Sequence, residues 1–258
     1  MIVLFLFLAS VIATCHGSAD YAITNHIYPL RMKTSSSVGD YTPDIPCSSW
    51  RLGVEVHNII DWKTVPKECE NYVSNYMLGG QYRLDSKAVA EEAYQYASSL
   101  NISKDENNIW IFDVDETTLS NLPYYAKNGF GAEPFNNTAF REWSSLGEAP
   151  ALPETLKLYK RLLKLGIKIV ILTGRREDKR NATATNLKSV GYTSWEKLIL
   201  KGQAFKGTTF SFKSGQRKEL EENGYRIVGN MGDQWGDILG ASPGNRTFKL
   251  PDPMYYVV

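Results

Sequence analysis

Ile109-Trp-Ile-Phe-Asp-Val-Asp-Glu-Thr117 decides the fold: four apolar residues, too few for a helix, run directly into an acidic cluster. Such a run predicts a strand buried on both faces, the kind that parallel sheets use. On its C-terminal side, Pro153 opens a helical pattern with Leu156, Tyr159, Leu162 and Leu163 on one face and Gly166 as its stop. That helix feeds a second apolar run, Ile167 to Leu172, which ends on the polar turn Thr173-Gly-Arg175. A helix from about Asp178 to Ser189, a strand at Leu198 to Leu200, a helix after Ser214 and strands at Tyr225 to Val228 and Thr247 to Leu250 continue the alternation. Repeated strand and helix units predict an α/β fold: a Rossmann-like parallel sheet of at least four strands with helices on both faces. Ligands bind beyond the carboxyl ends of such strands, where the polar clusters fall.

Upstream of the first strand, Tyr72, Val73, Tyr76 and Met77 follow helical spacing until Gly79 and Gly80. Val89, Ala93, Tyr96, Ala97 and Leu100 repeat it, with Asp85 or Ser86 as the expected cap. Two helices therefore precede the core, behind a mixed stretch from Ala19 to about Pro66 that reads as loop with short helices. Residues 117–150 are long for a strand-to-helix connection and are expected to form a small cap over the site. Its aromatic residues Tyr124, Tyr125, Phe130 and Phe135 would then face the substrate or pack the cap itself. The expected organisation is a leader at 1–17, an N-terminal helical extension at 18–105 and a core at 106–258 that carries the cap.

The leader rests on Met1 to Thr14, an almost wholly apolar run that breaks at Cys15, His16, Gly17, Ser18 and Ala19. At about 14 residues it is shorter than the roughly 18 to 20 of a spanning helix, so a secretory signal peptide is expected and no membrane association after its cleavage. In an oxidising compartment Cys47 and Cys69 remain as an even pair; a disulfide is the leading reading and two buried thiols the other. Sequons at Asn101, Asn136, Asn181 and Asn245 are candidate glycosylation sites. The 258 residues are 43% hydrophobic and 12% aromatic, which excludes a disordered or collagen-like chain. A formal net charge of +1 gives no field that would gather nucleic acid or an anionic membrane. The three histidines, His16, His26 and His57, lack ligand spacing, which disfavours zinc or histidine catalysis.

Four clusters carry the chemistry. Asp113 and Asp115, two apart at a strand end, would send both carboxylates to one side, where either one keeps a proton or a divalent cation binds between them. The bland alternative is a solvated acidic turn with Glu116. Thr173 offers a hydroxyl and a backbone N–H to a phosphoryl oxygen, or is an ordinary turn residue. Lys213, ahead of a helix, could neutralise a transferring phosphoryl group, or is a surface lysine. Asp233 and Asp237 form a plausible magnesium shelf, since magnesium favours carboxylate, carbonyl and water oxygens, or they cap a helix.

With Phe112-Asp-Val-Asp-Glu-Thr-Thr-Leu-Ser-Asn-Leu-Pro-Tyr-Tyr125, Leu172-Thr-Gly-Arg-Arg176, Val228-Gly-Asn-Met-Gly-Asp-Gln-Trp-Gly-Asp237 and the terminal Lys249-Leu-Pro-Asp-Pro-Met-Tyr-Tyr-Val257, the chain resembles the haloacid dehalogenase-like (HAD-like) phosphohydrolases. Within them it is similar to the class B-like plant acid phosphatase and vegetative storage protein family. The resemblance implies a secreted or vacuolar acid phosphatase that acts on small phosphomonoesters, with Asp113 as nucleophile and Asp115 as acid and base. It also implies Thr173 and Lys213 on the phosphoryl oxygens, with Lys201 a weaker candidate. Magnesium is implied at Asp113, the backbone carbonyl of Asp115 and Asp233, with Asp237 as ligand or orienter. A homodimer is implied too. A storage protein with little catalysis is the alternative, set against the retention of Asp113. A phospho-accepting signalling receiver would use similar residues, but the leader and sequons argue against it.

Overall fold

The computed structural model describes residues 46–102 and 107–257. The expected leader, with Cys15 and His16, lies outside the described residues, as does most of the mixed stretch after it, with His26.

Asn108–Phe112 forms β1, buried throughout. Ile109 and Ile111 point to one face, where they pack with Val170, Leu172, Phe212 and Leu220. Trp110 and Phe112 point to the other, against Ile169, Ile171, Val228, Met231 and Phe248. A strand with both faces buried has no polar side to alternate with, so its sequence is a continuous apolar run. The remaining strands are β2 (Lys168–Arg176), β3 (Lys197–Lys201), β4 (Arg226–Gly232) and β5 (Thr247–Lys249). All pairs are parallel, in the order β3-β2-β1-β4-β5. The chain moves outward from β1 to β3, then returns to the other side of β1 with β4. That reversal opens a crevice beyond the carboxyl ends of β1 and β4.

Helices α1 (Cys47–Glu55), α2 (Glu70–Leu78) and α3 (Gly80–Ser99) precede the sheet. The Cys47–Cys69 disulfide joins the start of α1 to the turn before α2. A short α4 (Leu122–Tyr125) and α5 (Asn137–Leu146) occupy the expected cap segment. Next come α6 (Pro153–Lys164), α7 (Arg180–Ser189), α8 (Thr209–Glu222) and the one-turn α9 (Trp235–Ile238).

Three local expectations need correction. The helix expected to start at Asp85 or Ser86 starts at Gly80, because the chain breaks for only one residue, Gly79. It then restarts at once to bury Tyr82, Ser86, Ala90, Ala93 and Ala97, a stripe whose serine hides its periodicity. β2 does not turn at Thr173 but continues to Arg176 through an irregularity in its pairing with β3. Lys213 lies inside α8 rather than ahead of it, since Thr208 accepts the Ser211 N–H at 3.1 Å and caps the helix earlier.

Candidate active site

The site grows from the end of β1. The Asp113 N–H still donates to Met231 O at 3.1 Å, which fixes Asp113 over the sheet edge, while the Thr118 hydroxyl donates to Asp113 O at 3.1 Å. The chain then turns through Glu116, whose φ of 52° lies in the left-handed region that non-glycine residues seldom adopt. Its buried carboxylate accepts from Tyr82 Oη at 2.5 Å, Ser120 Oγ at 3.0 Å and the Asn121 N–H at 2.7 Å. Burial pushes the Glu116 carboxyl up to about 7. Glu116 is therefore not part of a solvated turn.

Asp113 pairs with Lys213 of α8, and Lys213 pairs in turn with Asp237 of α9. Burial works against the lysine's charge, but Asp113 and Asp237 outweigh it and hold the ammonium protonated. Burial, with Asp237 and Asp233 close by, pushes the Asp113 carboxyl well up, and Lys213 offsets this only in part. Burial, then the charge of Asp237, pushes Asp233 up to about 6. Thr117 Oγ1 donates to Asp233 at 3.0 Å. Arg217, fully buried, donates to the main-chain oxygen of Asp237 at 2.6 Å and so anchors α9.

Asp115 faces a different cation. Arg175 forks onto it, with Nη2 to Oδ1 at 2.8 Å and Nε to Oδ2 at 3.1 Å. Burial opposes its charge, but the guanidinium wins and holds the carboxyl below the usual carboxylate range. The repulsion between Asp113 and Asp115 is thus relieved unequally: burial favours the proton on Asp113 despite Lys213, while Arg175 keeps Asp115 ionised. Of the pair, Asp115 is not the one that crowding leaves protonated in the free site, because Arg175 stands beside it.

Oxygens of Asp113, Asp233 and Asp237 lie within 4.8 Å of one another. The Asp115 carboxylate is not in that group. Four carboxylates against Lys213 and Arg175 leave the site short of positive charge, and the clustered donors are all hard oxygens, so the residues fit a hard divalent cation. Thr173 is fully buried behind the cavity lining, next to Gly174 and Arg175 which do line it, and its Oγ1 accepts the Arg175 N–H at 3.1 Å, leaving its hydroxyl proton to donate elsewhere. Lys201, at the end of β3, lies 3.4 Å from Thr209 Oγ1 and does not line the cavity.

That cavity, about 500 Å³, has Asp113, Asp115, Arg175, Lys213 and Asp233 at its polar end. Its walls include Tyr125, Phe135 and Phe140 from the cap segment, Trp62 from the loop after α1, and Tyr255 and Tyr256 from the C-terminal tail. Tyr124 instead packs on Phe140 and Trp143, and Phe130 packs against the core. The sequence displayed Arg175 beside an apolar strand end, which is the signal that could have marked it as a site residue. Nothing in the sequence marks Tyr82 or Trp62, and the tail stood out there only as a part of the resemblance and not as a wall of the site; all three reach the site only through folding. The sequon asparagines Asn101, Asn136, Asn181 and Asn245 are all exposed.

The profile of the HAD superfamily, subfamily IIIB (acid phosphatase), matches residues 31–258. The chain is 45% identical to acid phosphatase 1 of Solanum lycopersicum over 237 residues, 92% of this chain and 93% of that one. It is 50% identical to vegetative storage protein 1 of Arabidopsis thaliana over 213 residues, 82% of this chain and 78% of that one. A stem 31 kDa glycoprotein of Glycine max is 48% identical over 256 residues, covering 97% of each. The fold resembles that of the class C acid phosphatase from Bacillus anthracis, with a TM-score of 0.61 at 20% identity over 74% of this chain and 86% of that one. The parallel sheet, the aspartate at the end of its central strand and these similarities agree: the chain belongs to the acid phosphatases of HAD superfamily subfamily IIIB.

Proposed function

We propose that this chain hydrolyses small phosphomonoesters in two steps, with Asp113 as nucleophile and magnesium held by Asp113, Asp233 and Asp237. The observation that carries the proposal is the placing of Asp113: a buried carboxylate directly after the end of the central strand, paired with Lys213, in a cavity with room for an organic leaving group. Magnesium, when bound, would supply positive charge that keeps Asp113 ionised and offsets charge on the phosphoryl oxygens. In the first step an Asp113 carboxylate oxygen bonds to phosphorus, the ester P–O bond breaks, and the leaving oxygen takes a proton from Asp115. In the second, a water oxygen attacks the phosphorus of the aspartyl-phosphate, its proton passes to Asp115, and phosphate leaves with Asp113 restored. Lys213 and the Thr173 hydroxyl would hold phosphoryl oxygens. The charge of the arriving phosphate opposes the influence of Arg175 on Asp115 and allows it to take up the proton it must give.

The apolar leader, the sequons and the stem glycoprotein and storage relatives support routing through the secretory pathway to the vacuole or the cell exterior, with glycans on the four exposed asparagines. Among the described residues no helix is long and apolar enough to cross a membrane. A homodimer is proposed on family grounds alone. Similarity to vegetative storage proteins supports a second reading, an amino-acid reserve on the same fold.

The test is hydrolysis of a phosphomonoester panel by the purified mature protein, with magnesium or with a chelator, beside Asp113→Asn. Turnover should require magnesium and vanish in the variant. A folded wild type no faster than Asp113→Asn on every ester would leave storage as the better account.

A further inference from the structure

Arg175 lines the cavity, yet neither step above assigns it a task. Its side chain is 6% exposed, and its fork reaches both oxygens of Asp115: Nε lies 3.2 Å from Oδ1 and 3.1 Å from Oδ2, and Nη2 lies 2.8 Å from Oδ1. Behind the fork, Nη1 donates to Thr183 Oγ1 at 3.3 Å, and the Arg175 main-chain N–H donates to Thr173 Oγ1 at 3.1 Å. The guanidinium is thus held from α7, and the backbone that carries it is tied within its own strand. Asp115 is the open carboxylate of the site, its side chain 23% exposed, against 6% for Asp113 and 5% for Asp237. Asp115 feels the charges of Lys213 and Asp113 and lines the same cavity as both, so it has competing positions: an ion pair with the lysine, or ligation of a cation. A planar fork excludes both by fixing the plane of the carboxylate, which a point charge such as an ammonium cannot do.

We propose that Arg175 is the positioning residue of the acid–base step: it holds Asp115 apart from Lys213 and from the Asp113, Asp233 and Asp237 cluster, so that the carboxyl stands at the cavity wall to serve the leaving oxygen. The inference rests on the assignment of Asp115 as acid and base. It gives a signature that neither a phosphate-binding role nor a purely structural role of Arg175 would produce. The ratio kcat/KM covers only the steps up to departure of the leaving group, and a nitrophenolate leaves with little help from an acid, whereas an alkoxide needs the proton.

The experiment measures kcat/KM of the magnesium-loaded enzyme for para-nitrophenyl phosphate and for glycerol phosphate, in the wild type, Arg175→Gln, Arg175→Lys and Asp115→Asn. In Arg175→Gln the alkyl ester should lose at least about tenfold more than the aryl ester, a fraction of the 10²- to 10⁴-fold that a positioned acid contributes. Arg175→Lys, which keeps the charge without the fork, should show the same selectivity to a smaller degree, and it carries the test if the glutamine variant does not fold. Equal losses on the two esters in both arginine variants would overturn the positioning role. Selectivity in Asp115→Asn beside equal losses in the arginine variants would overturn that role alone. No selectivity in Asp115→Asn would overturn the acid assignment and the proposal together.

Discussion

Asp113 and Asp115 sit two residues apart and meet different fates because each has its own cation, Lys213 for the first and Arg175 for the second. Placement at this scale is tight. A Cβ added at Gly232, the last residue of β4, would stand 2.4 Å from the Asp237 Cβ and 2.3 Å from its Oδ2. Gly232→Ala is therefore expected to push Asp237 off Lys213 while leaving the rest of β4 paired. Misplacing a site group by about 1 Å can cost about a hundredfold in rate, and the variant should lose activity on that order, with weaker magnesium affinity. Steady-state kinetics against a magnesium titration checks this; wild-type values in both would mean that Asp237 tolerates displacement.

Among the elements, the disulfide has the widest reach. Cys47 and Cys69, 22 positions apart, close the segment that carries Trp62 to the cavity wall and His57 to its stack on Trp235, the first residue of α9, with ring centroids 4.9 Å apart. Closing a loop of this length removes entropy mainly from the unfolded chain, worth about 3 kcal/mol in the chain-entropy picture. The double variant Cys47→Ser, Cys69→Ser should lose stability of that order in denaturant titration and should raise KM more than it lowers kcat, because Trp62 belongs to the wall and not to the reacting end. Unchanged stability would refute the loop argument. α5, likewise, is capped by the Asn136 Oδ1, which accepts the Ala139 N–H at 3.0 Å.

For the molecule as a whole, the notable feature is a buried store of acid. Glu116 is raised from 4.5 to about 7 and Asp233 from 3.8 to about 6, both chiefly by burial. A carboxyl raised in the folded state keeps its proton where the unfolded chain has released it, so stability falls as pH rises through that window. Asp115 is shifted the opposite way by Arg175, and its contribution is complete once pH exceeds the ordinary carboxylate range. In chelator, thermal melting should therefore occur at a higher temperature near about pH 5 than near about pH 8, and magnesium should narrow the gap by replacing protons at the acidic cluster. A melting temperature that stays level or rises over that interval in chelator would contradict this. The tail completes the assembly: Gln234, next to Asp233, accepts the Val257 N–H at 2.9 Å and donates to Asp252 at 3.1 Å, so the C-terminus is tied to the site loop.

The sequence by itself determined the α/β class, the position of β1 and the residue types of the site. A doubly buried strand must be written as an apolar run, and the acids at its end stand out against it. Thr173, Lys213, Asp233 and Asp237 stood out because each fell beside a run with a clear period, although Thr173 lies within β2 and Lys213 inside α8. Where periodicity was blurred, boundaries went astray: Ser86 masked the start of α3, and the polar Thr173-Gly-Arg175 looked like a turn though β2 runs through it. Only the tertiary structure decided which cation each aspartate meets, that Glu116 is buried and held by Tyr82 from α3, and that Trp62 and Tyr255 share a wall from opposite ends of the described chain. These pairings join residues far apart in sequence. What selects them is the geometry of the crevice between β1 and β4, where a buried charge finds a partner or keeps a proton, and no local pattern encodes that choice.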